Sequence, residues 1–193
     1  MIRKMNSRPD CIMLAAGESS RMGGWKLSLP LDGKTLIERS VDSALETCGR
    51  VILVTGYRAE DLEALFSGHK RVKLVRNPEY ERGMFSSIRA GAEEVRTDRF
   101  FIALADMPLV EKEVYIELLR YKDIPAVIPK YRGKKGHPLL LKREVRDIIV
   151  RLGPDRTMRD ALAVVATLAV PVESRNVLLD IDEQEDYEKL VDR

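Results

Sequence analysis

At 193 residues, 45% of them hydrophobic and 33% charged, the chain has room for one substantial core and the composition of an ordinary globular protein. Lysine and arginine number 33 against 31 aspartate and glutamate, a formal charge of +2, so no global field recruits nucleic acid or an anionic membrane and any anion site must be built locally. No apolar run approaches the ~20 residues of a membrane span, and the basic N-terminus lacks the apolar stretch of a signal peptide. Cys11 and Cys48 lie in apolar stretches and read as buried thiols. The expectation is a cytoplasmic protein of one domain, residues 1–193, with no nucleic-acid or membrane partner.

In chain order, Cys11 to Ala16 reads as a buried strand that runs into a polar loop rich in glycine. Thr35-Leu36-Ile37-Glu38 is a capping box, opening a helix whose apolar face is Leu36, Ile37, Val41, Ala44 and Leu45. Strands follow at 51–54 and 72–75 with a helix at 59–66 between them. Ser86 reads as the N-cap of a helix reaching about Val95, and Phe100 to Leu104 is the strongest central strand. A helix at 111–121 comes next, then short strands at 126–129 and 137–141 around Tyr131 to Gly136, an antiparallel excursion. Helices at 143–152 and 156–166, strands near 168–172 and 177–179, and a helix at 183–191 complete the chain. Apolar strands alternating with amphipathic helices predict an α/β fold of three layers, α/β/α, with a mostly parallel sheet.

The loop Gly17-Glu18-Ser19-Ser20-Arg21-Met22-Gly23-Gly24-Trp25-Lys26 is the first candidate site. In an open parallel sheet ligands collect beyond the carboxyl ends of the strands, where this loop lies. Glycines let backbone N–H groups approach phosphate oxygens, while Arg21 and Lys26 supply fixed positive charge. A Walker loop is excluded, because Lys26 precedes Leu27, and so is a dinucleotide fingerprint, because Gly17 is followed by Glu18, Ser19 and Ser20. The alternative is a solvated turn. Asp106, at the end of the central strand and beside Pro108, suits either a turn or a magnesium ligand. Asp182, in the acidic stretch Asp180-Ile181-Asp182, is the second candidate carboxylate, with Asp180 as its alternate.

Leu14-Ala15-Ala16-Gly17 through Ser19, Arg21-Met22-Gly23 and Lys26 resembles the signature of the MobA-like NTP transferases. Asn77-Pro78, Gly83 to Gly91, Leu104 to Pro108, Gly136-His137-Pro138 and Asp180 to Asp186 agree in order and spacing, so the resemblance runs from residue 11 to about 187. It implies a nucleotide-diphospho-sugar transferase-like fold and a magnesium-dependent nucleotidyltransferase. Ala15-Ala16 and Gly83 with Ser86-Ser87 are most similar to the cytidylyltransferases for the molybdenum cofactor. The implied substrates are CTP and a phosphorylated acceptor, molybdopterin foremost, with a molybdoenzyme or its chaperone as a partner. The implied nucleotide contacts are Leu14, Ala15, Ala16, Gly17, Arg21, Lys26, Gly83 and Ser87, with His137 at the acceptor and Mg2+ on Asp106 and Asp182. Arg21, Lys26 and Asp106 would carry the catalysis. The segment 153–160 lacks the Gly-Asp-x-Gly-x-Arg run of many cytidylyltransferases, which leaves GTP, a sugar or alcohol phosphate acceptor, or a non-catalytic carrier as alternatives.

Overall fold

The computed structural model describes residues 8–18, 25–153 and 155–191. The elements run β1 (Asp10–Ala15), β2 (Pro30–Leu31), β3 (Lys34–Thr35), α1 (Leu36–Thr47), β4 (Arg50–Thr55), α2 (Ala59–Leu65), β5 (Val72–Arg76) and α3 (Met84–Glu93). They continue with β6 (Arg99–Leu104), α4 (Lys112–Leu119), β7 (Ala126–Tyr131), β8 (Lys134–Lys135), β9 (Leu139–Lys142), α5 (Arg143–Arg151), α6 (Met158–Leu162), β10 (Thr167–Pro171) and α7 (Gln184–Val191). The main sheet has eight strands in the order β10-β7-β9-β6-β1-β4-β5, with β8 paired to β7 off this path. β1 pairs in parallel with both β4 and β6, and β4 with β5. β9 is antiparallel to β6 and to β7, so along the path it alone runs backwards.

Alternate residues of the central strands feed two cores. Cys11, Met13, Val51, Leu53, Phe101 and Ala103 pack under α1 and α4 through Ile37, Val41, Val114 and Leu118. Ile12, Ile52, Val54, Phe100 and Ile102 meet Phe85 and Ile88 of α3 and Val145 and Ile149 of α5 on the other face. Burial on both faces is why these strands read as unbroken apolar runs. A small third cluster joins Leu31 and Leu36 to Ile181 and Leu190, fastening α7 to the β2–β3 hairpin. The Tyr187 hydroxyl strengthens that join by donating to the Pro30 carbonyl at 2.7 Å. Cys11 and Cys48 are both buried, and a hydrogen bond with Cys48, then burial, push the Cys11 thiol well up.

The α1 capping box is present with both of its hydrogen bonds. Three local expectations need correction. α3 starts at Met84 with Gly83 as its N-cap, so Ser86 is in the first turn, where its hydroxyl donates back to the Gly83 carbonyl at 2.8 Å. Residues 175–178 form a 3-10 turn instead of a strand at 177–179, and the helix expected at 156–166 is confined to Met158–Leu162. The β2–β3 hairpin went unread, although Asp32-Gly33, at φ 46° and 79°, is a strong hairpin-turn signal.

At the amino end of β1, Asp10 is 4% exposed and accepts from Arg50 Nε at 3.1 Å, Arg50 Nη2 at 2.9 Å and the Arg96 backbone N–H at 2.8 Å. This pair ties β1, β4 and the end of α3 together below the core. Replacing Asp10 with alanine strands a half-buried guanidinium, and the expected cost is about 3–5 kcal/mol. Urea titration of Asp10→Ala against the wild type measures it; a change within about 0.5 kcal/mol would mean the pair does not anchor the sheet.

Candidate active site

The order of the strands reverses at β1. From β1 the chain passes to β4 and β5 on one side and then crosses to β6 on the other. Such a switch point opens a crevice beyond the carboxyl ends of the two central strands. The Ala105 N–H donates to the Leu14 carbonyl at 3.1 Å, so the segment after β6 continues alongside β1 and carries Asp106 to the crevice. The Ile181 N–H donates to the Asp106 carbonyl at 3.1 Å, which brings the 180–182 segment to the same place. Buried Ile181 holds it there, and Asp186 accepts from the backbone N–H groups of Asp182 and Glu183 at 3.2 and 3.0 Å, fixing the turn into α7.

Lys26 meets this pair. Its Nζ lies 2.7 Å from Asp106 Oδ2 and 2.8 Å from Asp182 Oδ1. Buried Leu27 and a 3-10 turn over Lys26–Ser28 anchor its backbone. Burial works to lower the Lys26 pKa, but Asp106 and Asp182 overcome it and hold the ammonium above its ordinary value. Asp106 Oδ1 is buried with no hydrogen-bond partner among the described residues, although a buried carboxylate oxygen without one is costly. The carboxyl of Asp180 is raised by burial and by the charges of Asp182 and Asp106, offset in part by a backbone hydrogen bond. An oxygen awaiting a donor, beside two carboxylates that already share a cation, is a donor set suited to a hard divalent ion. Among the described residues no group of three or more histidine, cysteine, aspartate and glutamate side chains forms a metal cage. An ion here would therefore complete its shell with substrate oxygens.

Of the other sequence candidates, Ala15 and Ala16 are buried at the end of β1, where the Ala16 carbonyl accepts from the Tyr57 N–H at 3.1 Å. Leu14 and Gly17 flank them, and Arg21 lies outside the described residues. Ser87 is buried in the first turn of α3, after exposed Gly83. Asn77, to which sequence reasoning gave no role, organises this region. Its N–H donates to the Thr55 carbonyl at 2.8 Å, and its side-chain amide donates to Ser86 Oγ at 2.9 Å and Ser87 Oγ at 3.0 Å. Its Oδ1 accepts from the Glu79 N–H at 3.0 Å. An asparagine placed between a strand and a proline is the signal that could have pointed to it. Trp25 packs against the core with the Arg58 guanidinium 5.0 Å from its ring centre.

His137 reaches the crevice from the opposite direction. β9 runs backwards with Leu139 beside Ile102, so the residues entering it lie at the rim where β6 ends. The His137 N–H donates to the Val177 carbonyl at 2.9 Å. Gly136 leaves no room for a side chain, since a Cβ there would stand 2.0 Å from the Val177 oxygen. Burial lowers the imidazole pKa to about 4 against a smaller raising effect from Asp180, so the ring is neutral near neutral pH. His69, by contrast, is exposed.

The sequence profile described as the MobA-like NTP transferase domain matches residues 11–171. The chain belongs to that family. It is 33% identical over 178 residues to the molybdenum cofactor cytidylyltransferase of Escherichia coli, covering 92% of this chain and 93% of the relative. A probable molybdenum cofactor guanylyltransferase of Aquifex aeolicus is 27% identical over 94% of this chain and 89% of its own length. Among solved structures, a nucleotidyl transferase from Methanothermobacter thermautotroptrophicus superposes with a TM-score of 0.82 at 27% identity, covering 95% of each chain.

The His137 shift has a sign that can be checked. Its folded pKa lies below the ~6.5 of an unfolded histidine, so the unfolded chain takes up the proton first as pH falls. The stabilisation is fully present above about pH 6.5 and is lost as pH falls from there towards 4. Urea titrations of wild type and His137→Gln across that window should differ in slope by up to ~1.4 kcal/mol per pH unit. Parallel pH profiles would show the imidazole to be exposed.

Proposed function

We propose that this chain transfers CMP from CTP to a phosphorylated acceptor, with molybdopterin the favoured acceptor, and releases pyrophosphate. The observation that carries this reading is the Lys26 ammonium held between Asp106 and Asp182 in the crevice of an NTP transferase family member. Support for CTP comes from Ala15-Ala16 with Gly83 and Ser87, and from the name of the Escherichia coli relative. The Aquifex aeolicus relative favours GTP as the second reading.

Asp106 and Asp182 are the residues that would hold magnesium, and the unpaired Oδ1 of Asp106 supports this. When bound, magnesium supplies charge neutralisation to the phosphate oxygens of the nucleotide. Lys26 would give those oxygens a compact positive charge, from a backbone that buried Leu27 anchors. Arg21 would grip the triphosphate beside it. An acceptor phosphate monoester, whose second pKa is near ~6, is largely ionised at neutral pH, so its oxygen attacks the α-phosphorus without a general base. Neutral His137 then serves the acceptor as a hydrogen-bonding group, and brings no charge to a site that must already gather two polyanions. Positioning and electrostatics carry most of such a transfer.

With CTP, magnesium and molybdopterin, Lys26→Ala and Asp106→Ala should each slow pyrophosphate release by about 100-fold or more while keeping a cooperative melt. Near wild-type turnover in either variant removes that residue from the mechanism. In a thermal-shift series with magnesium, CTP should raise the melting temperature more than GTP, ATP or UTP, by mass action. A larger shift with GTP turns the assignment to guanylyl transfer.

A further inference from the structure

Tyr80 joins the two segments assigned to the nucleotide, and it belongs to neither. It opens the 3-10 turn Tyr80–Arg82 that leads into Gly83, and its carbonyl accepts from the Gly83 N–H at 3.1 Å. Its side chain is rooted on Gly56, just beyond β4. A Cβ at Gly56 would stand 2.6 Å from both Cβ and Cγ of Tyr80 and 2.9 Å from Cβ of Ala16. The glycine therefore exists at a contact in which the tyrosine's base and the Ala16 methyl share one small space. The Tyr57 N–H bonded to the Ala16 carbonyl fixes the same junction from the backbone side. From there the phenol extends to where Glu18 acts on it: partial burial raises its pKa first, and the charges of Glu81 and Glu18 add to that. An aromatic ring is thus held between the Ala15–Glu18 loop and the Gly83 turn. Its support is rigid, because the Asn77 hydrogen bonds fix the turn that carries it.

We propose that Tyr80, seated on Gly56, is the aromatic wall of the base subsite and sets its preference for a pyrimidine over a purine. The inference rests on the nucleotide reading above and deepens it. A ring at this edge offers the base a stacking face, an interaction that every base can use and that costs about 10-fold in affinity when truncated. Seated at the Gly56 and Ala16 contact, the ring also limits the space beside Ala16, and the inference is that this limit disfavours a fused double ring. The Tyr80 hydroxyl is not needed for either effect.

The test is calorimetric titration of wild type, Tyr80→Ala, Tyr80→Phe and Gly56→Ala with CTP, GTP and inorganic tripolyphosphate, each with magnesium. The expected result is that Tyr80→Ala weakens CTP about 10-fold, narrows the ratio of CTP to GTP affinity, and leaves tripolyphosphate binding within about 2-fold. Tyr80→Phe should retain wild-type CTP affinity and ratio, since the ring remains. Gly56→Ala, which pushes the ring from its seat, should repeat the alanine result at position 80. An unchanged affinity ratio in Tyr80→Ala overturns the inference, as does an equal loss of tripolyphosphate, which would mean that the loop itself had collapsed. If the wild type binds tripolyphosphate but prefers no base, the Tyr80 inference fails and the phosphate site stands. If the wild type binds neither nucleotide nor tripolyphosphate, the nucleotide reading fails and takes this one with it.

Discussion

The Lys26 ammonium lies between two carboxylates distant from it in sequence, Asp106 at a separation of 80 residues and Asp182 at 156. Like charges so near one another repel in a partly dry crevice, and the Asp180 carboxyl, raised first by burial, is raised further by Asp182 and Asp106. The lysine relieves that repulsion. Two backbone bonds keep the arrangement in register, Ala105 to Leu14 and Ile181 to Asp106, so the positions of both carboxylates derive from β1. The reversal of strand order at β1 leaves the open space, the Ile181–Leu190 cluster carries the third participant into it, and the capping box of α1 sets the helix against which that cluster rests.

The same ionic triad explains why this crevice suits phosphate chemistry. Two carboxylates share one internal cation, so the triad keeps a net negative charge, and Asp106 retains one oxygen with no donor among the described residues. A divalent cation would answer both. A divalent ion arriving with a polyanion offsets part of the charge that the polyanion adds. Neutral His137 on the far side adds none.

Much of this was legible in the sequence. The central strands of the main sheet read correctly because burial on two faces leaves uninterrupted apolar runs, whereas exposed β8 gave no such run, and α1 read correctly because Thr35 and Glu38 name a specific pair of hydrogen bonds. Lys26, Asp106 and Asp182 were legible through the order and spacing of their motifs. Their convergence was not, because it depends on which strands neighbour one another and on the fastening of α7. The errors share a cause. Ser86 reads as a cap by its chemistry, but Asn77, nine residues earlier, recruits its hydroxyl and the helix begins above it. Val177 to Leu179 reads as a strand by composition, but its carbonyl is taken by His137 in a turn. Residue partnerships across the fold decided these cases against local propensity. Tyr80 escaped notice for the same reason, since its seat, Gly56, is distant in sequence and carries no side chain to announce it.

The reversed direction of β9 gives the molecule two independently adjustable halves. Every other strand on the path presents its exit to the crevice, whereas β9 presents its entrance, and that entrance is supplied by the β7–β8 excursion, off the path of the sheet. Lengthening, shortening or recolouring that excursion alters what meets the second substrate without disturbing the β1, β4 and β5 exits that face the first. Under the function proposed above, a lineage built on this scaffold would trade one acceptor for another through a surface appendage while its nucleotide end stays under fixed constraint.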